Sequence, residues 1–408
     1  MSNQGIVIIG AGHAGGSAAA FLRQYGYKGP LTLVGAEPVL PYQRPPLSKA
    51  WLKGEATAES LALRPAKFYA AQNVETRLGI SATAVDRAAH SVRLSDGSTL
   101  GYAKLVLALG SRARPLPLPG RDLAGVMELR TTADADRLQA ALQPGARLAV
   151  VGGGFIGLEV AASAGALGAS APVVEREARV LARVASPPLS AFVQEYHRGR
   201  GVDVRRATGV EALEGTNGQV TGVRLADGGL VPCDIALLGV GALANDELAQ
   251  AAGLDCANGI TVDLAARTSD PDIYAVGDCT NRPLPMYQRM FRLESVPNAI
   301  EQAKQAAADI TGRAAPQPEI PWFWSDQFDL RLQMAGLPFG ATQLVQRGAA
   351  EVAGFAVFHL GPDTTVLAVE AINAPADFMA GRILVSKQKQ VAPALLADLS
   401  SDMKTLAA

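Results

Sequence analysis

The sequence predicts an α/β protein: two doubly wound dinucleotide-binding domains followed by a C-terminal α+β domain. Length comes first, since 408 residues suit two to three domains of about 150 residues each. The second observation is a repeat. GIVIIGAGHAGG at Gly5–Gly16 and LAVVGGGFIGLE at Leu148–Glu159 share one plan: four apolar residues, GxGxxG, then small residues at helical spacing. The third is that each repeat returns to another apolar run, LTLVG at Leu31–Gly35 and APVVE at Ala171–Glu175. Continuous apolar runs suit parallel strands buried on both faces, so each repeat is a Rossmann-like βαβ unit.

Along the chain, the stretch from Ala70 to Leu109 reads as β-rich, with a turn at Asp96-Gly97. PLPLPG at Pro115–Gly120 is a stiff connection and a domain boundary. After the second unit come a turn at Asp227-Gly228-Gly229, then DIALLGVG, then TSDPDIYAVGD ending at Asp278. A helix is expected from Pro297 to Thr311, stopped near Gly312. APQPEIP at Ala315–Pro321 is a second linker, and Trp322–Ala408 alternates at Val352–Phe358 and Thr365–Val369, as an α+β domain does. Pro172 lacks a backbone donor, so the strand it precedes should begin at Val173.

Composition narrows the function. Apolar residues make up 49%, charged residues 18%, and the net charge is -1. That excludes a disordered chain and the global positive field of a nucleic-acid binder. Cys233, Cys256 and Cys279 form no CxxC pair, and His13, His90, His197 and His359 show no ligand spacing, so no metal site is expected. The N-terminus does not read as a signal peptide, and the apolar run from Leu148 to Val174 carries Glu159 and several glycines. A cytoplasmic protein that does not span a membrane is expected.

A lone GxGxxG is weak, but here each follows a strand and opens a helix. Gly10, Gly12 and Gly15 in the first loop, and Gly152, Gly154 and Gly157 in the second, let the backbone turn tightly and approach a pyrophosphate at a helix N-terminus. Glu175 ends the second strand of the second unit. A carboxylate there accepts hydrogen bonds from a ribose and repels a 2′-phosphate, which points to NAD rather than NADP. In the first unit the acid is displaced to Glu37.

From PYQRPPLSK at Pro41–Lys49 onwards the chain resembles the FAD-dependent ferredoxin reductases of oxygenase systems. GAGHAGG, RPPLSK, LRPAKFYAAQNV, VVGGGFIGLE, TSDPDIYAVGDC, RLESVPNAIEQA and PWFWSDQ carry the resemblance in the family's order and spacing. It implies a glutathione-reductase-like fold, with an FAD-binding domain at 1–113 and 244–320, an NAD-binding domain at 114–243 and a C-terminal domain at 321–408. The implied FAD contacts are Ala14, Glu37, Arg44, Lys49, Ala82, Arg130, Asp278 and Val296, beside the first glycine loop. The helix opening at Pro297 would aim its N-terminus at the flavin edge where charge gathers on reduction. Phe155 would shield the flavin, and Glu159 would hold the nicotinamide carboxamide and pair with Lys49. Gly241 would admit the second nucleotide closely, and Trp324 would line the electron exit. Leu109 and Ala244 depart from the family's usual threonine and proline.

Relatives that relay electrons through thiols carry cysteine just after the first unit. Pro41–Lys49 has none, so electrons should leave the flavin directly, one at a time, to a [2Fe–2S] ferredoxin. The resemblance thus implies NADH-dependent supply of electrons to a ring-hydroxylating dioxygenase or haem monooxygenase, of the kind used in aromatic hydrocarbon catabolism. A rubredoxin reductase, or a redox-sensing interaction flavoprotein resembling apoptosis-inducing factor, remains open. Arg64, Arg289, Arg292 and Arg331 are candidates for a local basic docking patch.

Overall fold

In the computed structural model, which describes residues 4–349 and 354–408, Ile6 and Ile8 join one hydrophobic cluster while Val7 and Ile9 join another. The Gly5–Ile9 strand is therefore buried on both faces, as its unbroken apolar run requires. It pairs in parallel with Leu31–Gly35 and with Thr99–Leu107. Val74–Leu78 extends the sheet beyond Leu31–Gly35, and Ile273–Ala275 pairs with Thr99–Leu107, both in parallel. Ser91–Leu94 and Ala82–Asp86 add an antiparallel ribbon. The helices His13–Gln24 and Val296–Ile310 contribute alanines, among them Ala18, Ala19, Ala303 and Ala306, to one cluster of this core. These elements belong to a first unit made of Met1–Arg44, Ala58–Arg112 and Leu243–Pro321.

The second unit comprises Pro45–Thr57, Ala113–Ala242 and Trp322–Ala408. Its parallel sheet runs in the order Val204–Arg205, Val173–Val174, Leu148–Val151, Ile235–Leu238, Val126–Met127. The strand expected from Val173 does begin there, and the Pro172 carbonyl accepts from Val150 N at 2.9 Å. An antiparallel sheet of Val210–Thr216, Gln219–Leu225 and Leu230–Pro232 shares a hydrophobic cluster with it. The C-terminal part is a five-stranded antiparallel sheet ordered Trp322–Gln327, Leu330–Gly336, Val366–Ile372, Phe355–Leu360, Gln343–Arg347, against which the Pro375–Ser386 helix packs.

The fold is thus the α/β architecture expected, with parallel sheets opening on both glycine loops. The two units differ from the sequence boundaries in two respects: the expected NAD-binding and C-terminal domains fall in one unit, and a short piece of the expected first domain falls with them. Pro45–Thr57, counted there with the first domain, belongs to the second unit, where a carboxylate holds Ser48 and Lys49. The helix expected at 297–311 spans Val296–Ile310, opened by Ser295, whose Oγ accepts from Asn298 N at 3.3 Å. Val352, at the head of an expected alternating stretch, and the first three residues of the N-terminal reading lie outside the described residues. Among the described residues no helix is long and apolar enough to cross a membrane.

Candidate functional site

The two glycine loops divide their labour identically. Gly10 and Gly152 take φ +110 and +113, which L side chains rarely adopt, so each turns its strand towards a helix. A Cβ on Gly15 would lie 1.8 Å from Gly10 O, and one on Gly157 2.1 Å from Gly152 O, so these two let helix and loop close-pack. A Cβ on Gly12 or Gly154 would meet nothing within 4 Å. Both are helix N-caps in extended backbone, without a side-chain cap. The open space therefore lies over the exposed amide ends of two helices, where a pyrophosphate belongs. In each unit the residues present fit a dinucleotide.

In the first unit Glu37 is fixed by Arg44 Nη2 at 2.5 Å and by the Tyr42 hydroxyl at 2.7 Å. Asp278 accepts from Ser111 Oγ at 3.0 Å. Gly277, at φ +86, would bring a Cβ 2.9 Å from Ala14, so the Asp278 turn lies against the first glycine loop. Val296 opens its helix, and Ala82 starts the antiparallel ribbon, pairing with Leu94.

In the second unit Glu175 accepts from Gly153 N at 2.7 Å and from Glu177 N at 2.8 Å. The carboxylate is thereby drawn against the second glycine loop, with lone pairs left for a ribose. Arg176 is well exposed and pairs with Glu177 at 3.0 Å. Gly241, at φ +109, leaves room filled by the Arg183 guanidinium, 3.1 Å from where a Cβ would be. Arg130 precedes a capping box in which Thr131 and Asp134 exchange hydrogen bonds.

The chemistry converges on Glu159, which is 5% exposed. Lys49 Nζ and Ser48 Oγ donate to its Oε2 at 2.7 and 2.5 Å, and Ser325 Oγ donates to Oε1 at 2.7 Å. One turn on, Ser163 Oγ holds the Ser48 carbonyl at 2.7 Å. A buried carboxylate left unpaired costs several kcal/mol, and here three donors, one of them cationic, satisfy it. Phe155, one turn before Glu159 on the helix, is half-buried, and its ring lies 4.4 Å from that of Phe323. Sequence reading brought Lys49, Phe155 and Glu159 together and counted Phe323 in an aromatic edge with Trp322 and Trp324, but missed Ser48, Ser325 and Arg183. Ser48 and Ser325 sit inside motifs already singled out, so adjacency was the available signal. Trp324 lies beside this cluster in sequence yet packs on Trp322, ring centroids 5.4 Å apart. The alternation of the strand turns it to the face opposite Phe323 and Ser325.

The thiols stand apart from this chemistry. Burial pushes Cys279 up to about 12, and Cys233 and Cys256 up to about 11. None is a thiolate at neutral pH.

The family model of the pyridine nucleotide-disulphide oxidoreductases matches residues 4–303, and a reductase C-terminal model matches 322–407. A probable ferredoxin reductase, CtmF, of Castellaniella defragrans is 51% identical over 100% of this chain and 99% of its own length. Putidaredoxin reductase CamA of Pseudomonas putida is 43% identical over 100% of this chain and 97% of its own. Among solved structures, the covalent putidaredoxin reductase–putidaredoxin complex superposes with a TM-score of 0.96 at 43% identity, covering 100% of this chain and 98% of that one.

Proposed function

Because this chain belongs to the pyridine nucleotide-disulphide oxidoreductase family, as a ferredoxin reductase of the oxygenase-system type, we propose that it takes electrons specifically from NADH, through FAD, and delivers them to a [2Fe–2S] ferredoxin in the cytoplasm. When bound, the flavin supplies the conversion of a two-electron donor into single electrons. The chain's own residues do the rest. Gly12 and Gly154 leave the two pyrophosphate cradles open. In the first unit Glu37, Asp278 and the backbone at Ala14, Ala82 and Val296 hold the flavin nucleotide. Glu175 accepts the adenosine ribose hydroxyls and disfavours a 2′-phosphate.

Glu159 accepts the nicotinamide carboxamide, Lys49 holds Glu159, and Phe155 covers the ring until NADH enters. This is a positioning effect, in which freedom lost in the folded protein is not lost again on reaction. The observation that carries the reading is the Lys49–Glu159 pair at 2.7 Å on the helix of the second glycine loop. That burial raises all three thiols and keeps them protonated at neutral pH supports direct exit of electrons to a one-electron carrier.

Steady-state cytochrome c reduction with NADH tests the proposal. Addition of a [2Fe–2S] ferredoxin should raise turnover at least about tenfold. Equal turnover with and without ferredoxin, or a stimulation by rubredoxin alone, refutes it.

A further inference from the structure

The Trp322–Gln327 strand brings alternate residues to one face: Phe323 to Phe155, Ser325 to Glu159, and Gln327 to His197. Their polar contacts form one continuous line. Ser325 Oγ spends its single proton on Glu159 Oε1 at 2.7 Å, so it must accept from the next member. Gln327 Nε2 is that donor, at 3.1 Å. The amide orientation is thereby set, with Gln327 Oε1 turned to His197 Nε2 at 2.9 Å, which must donate. His197 is fully buried, its Nδ1 has no hydrogen-bond partner, and burial lowers its pKa. The ring is therefore neutral with its proton on Nε2. Every donor in the line points towards Glu159.

We propose that Ser325 and Gln327 are positioning residues for Glu159, forming a one-way relay of donors that begins at His197 and keeps the carboxylate oriented as an acceptor-only group for the nicotinamide carboxamide. The inference rests on the role given to Glu159 above and adds that the C-terminal sheet, not the nucleotide-binding helix alone, sets how that carboxylate is presented. Both oxygens are then committed: Oε2 to Lys49 and Ser48, Oε1 to Ser325. The carboxylate cannot rotate without breaking a bond at one end, and a carboxamide N–H approaching it meets a fixed lone pair. Serine and glutamine inside a β-strand are poor core residues; Ser325 and Gln327 are 0% and 2% exposed, and their hydrogen bonds account for their being there.

The test reverses the relay without changing its shape. Gln327→Glu keeps an oxygen facing His197, but while ionised it accepts at the other end, so the Ser325 hydroxyl turns away from Glu159. Protonating the new carboxyl restores the donor. Through its hydrogen bonds this side chain is linked at one end, by Ser325, to Glu159 and its partner Lys49, and at the other to His197, which feels the charge of Arg200, itself paired with Asp329 at 2.8 Å. Gln327→Met has no donor at any pH.

In stopped-flow reduction of the holoenzyme by NADH, Gln327→Met should slow the step about 3- to 10-fold from pH 6 to 8. Gln327→Glu should be slow at pH 8 and recover towards the parent rate at pH 6. NAD+ affinity measured by calorimetry on the holoenzyme should weaken about 3- to 10-fold in Gln327→Met. Should that variant fold poorly, Ser325→Ala removes the same donor with less disturbance and carries the same expectation. Glu159→Ala runs alongside. If it reduces normally, the reading beneath this one fails. If it is slow while Gln327→Met and Ser325→Ala keep both rate and NAD+ affinity within twofold of the parent, the relay alone is overturned.

Discussion

Gly12 and Gly154 have no neighbour within 4 Å of an added Cβ, and both sit in extended backbone that any residue adopts, φ -89 and -81. A valine at either position therefore fills the cradle without straining the chain. Gly12→Val should purify colourless and stay so after incubation with FAD. Gly154→Val should stay yellow and reduce normally with dithionite, while its KM for NADH rises about tenfold or more. Absorbance spectra and NADH titrations separate the two, and a yellow Gly12→Val or an unaltered KM removes the corresponding cradle. Glu175 offers a finer check. It accepts two backbone N–H groups, at 2.7 and 2.8 Å, so Glu175→Ser loosens the loop slightly but chiefly lifts the repulsion of a 2′-phosphate. The ratio of kcat/KM for NADH over NADPH should drop about tenfold, and an unchanged ratio removes the assigned role.

The Pro187–Arg198 helix places His197 in full burial, where desolvation penalises the charged form. The sign follows from linkage. Below its usual value of about 6.5, histidine binds a proton more readily in the unfolded chain than in the fold, so stability falls as pH drops through that value towards the lowered folded one. Thermal midpoints of the parent should decline over this window, and His197→Gln should lose that part of the decline. A parallel decline in both assigns the effect to other groups. How much of this was readable in the sequence differs by element. The strands before each glycine loop were, because burial on both faces leaves an unbroken apolar run. So was the start at Val173, because Pro172 cannot donate. The Trp322–Gln327 strand was read for its aromatic residues, Trp324 foremost, whereas its period of two puts Phe323, Ser325 and Gln327 on the face that meets Phe155, Glu159 and His197. Ser325 stands 166 positions from Glu159, and Gln327 stands 130 from His197. No local pattern reports such pairings.

Taken as one chain, the molecule was readable in class, in order of segments and in the return of the chain to its first unit after residue 242, but not in the placing of Pro45–Thr57 or the joining of the last two expected domains in one unit. The linkers at 115–120 and 315–321 mark changes of composition, and composition cannot show that the short piece around RPPLSK owes its contacts to a carboxylate over 100 positions away. Electrostatics belongs to this level too. With a net charge of -1, the chain has no strong overall charge to steer a partner over long range.

The backbone passes from one unit to the other at residues 44–45, 57–58, 112–113, 242–243 and 321–322. Neither unit is a contiguous stretch, so no single truncation or protease cut releases either of them whole. On the ribosome, the parallel sheet that starts at Gly5 waits for Ile273–Ala275 to be synthesised before its last parallel pairing can form. Chimaeras between relatives that exchange one unit need several junctions, each at one of these passages.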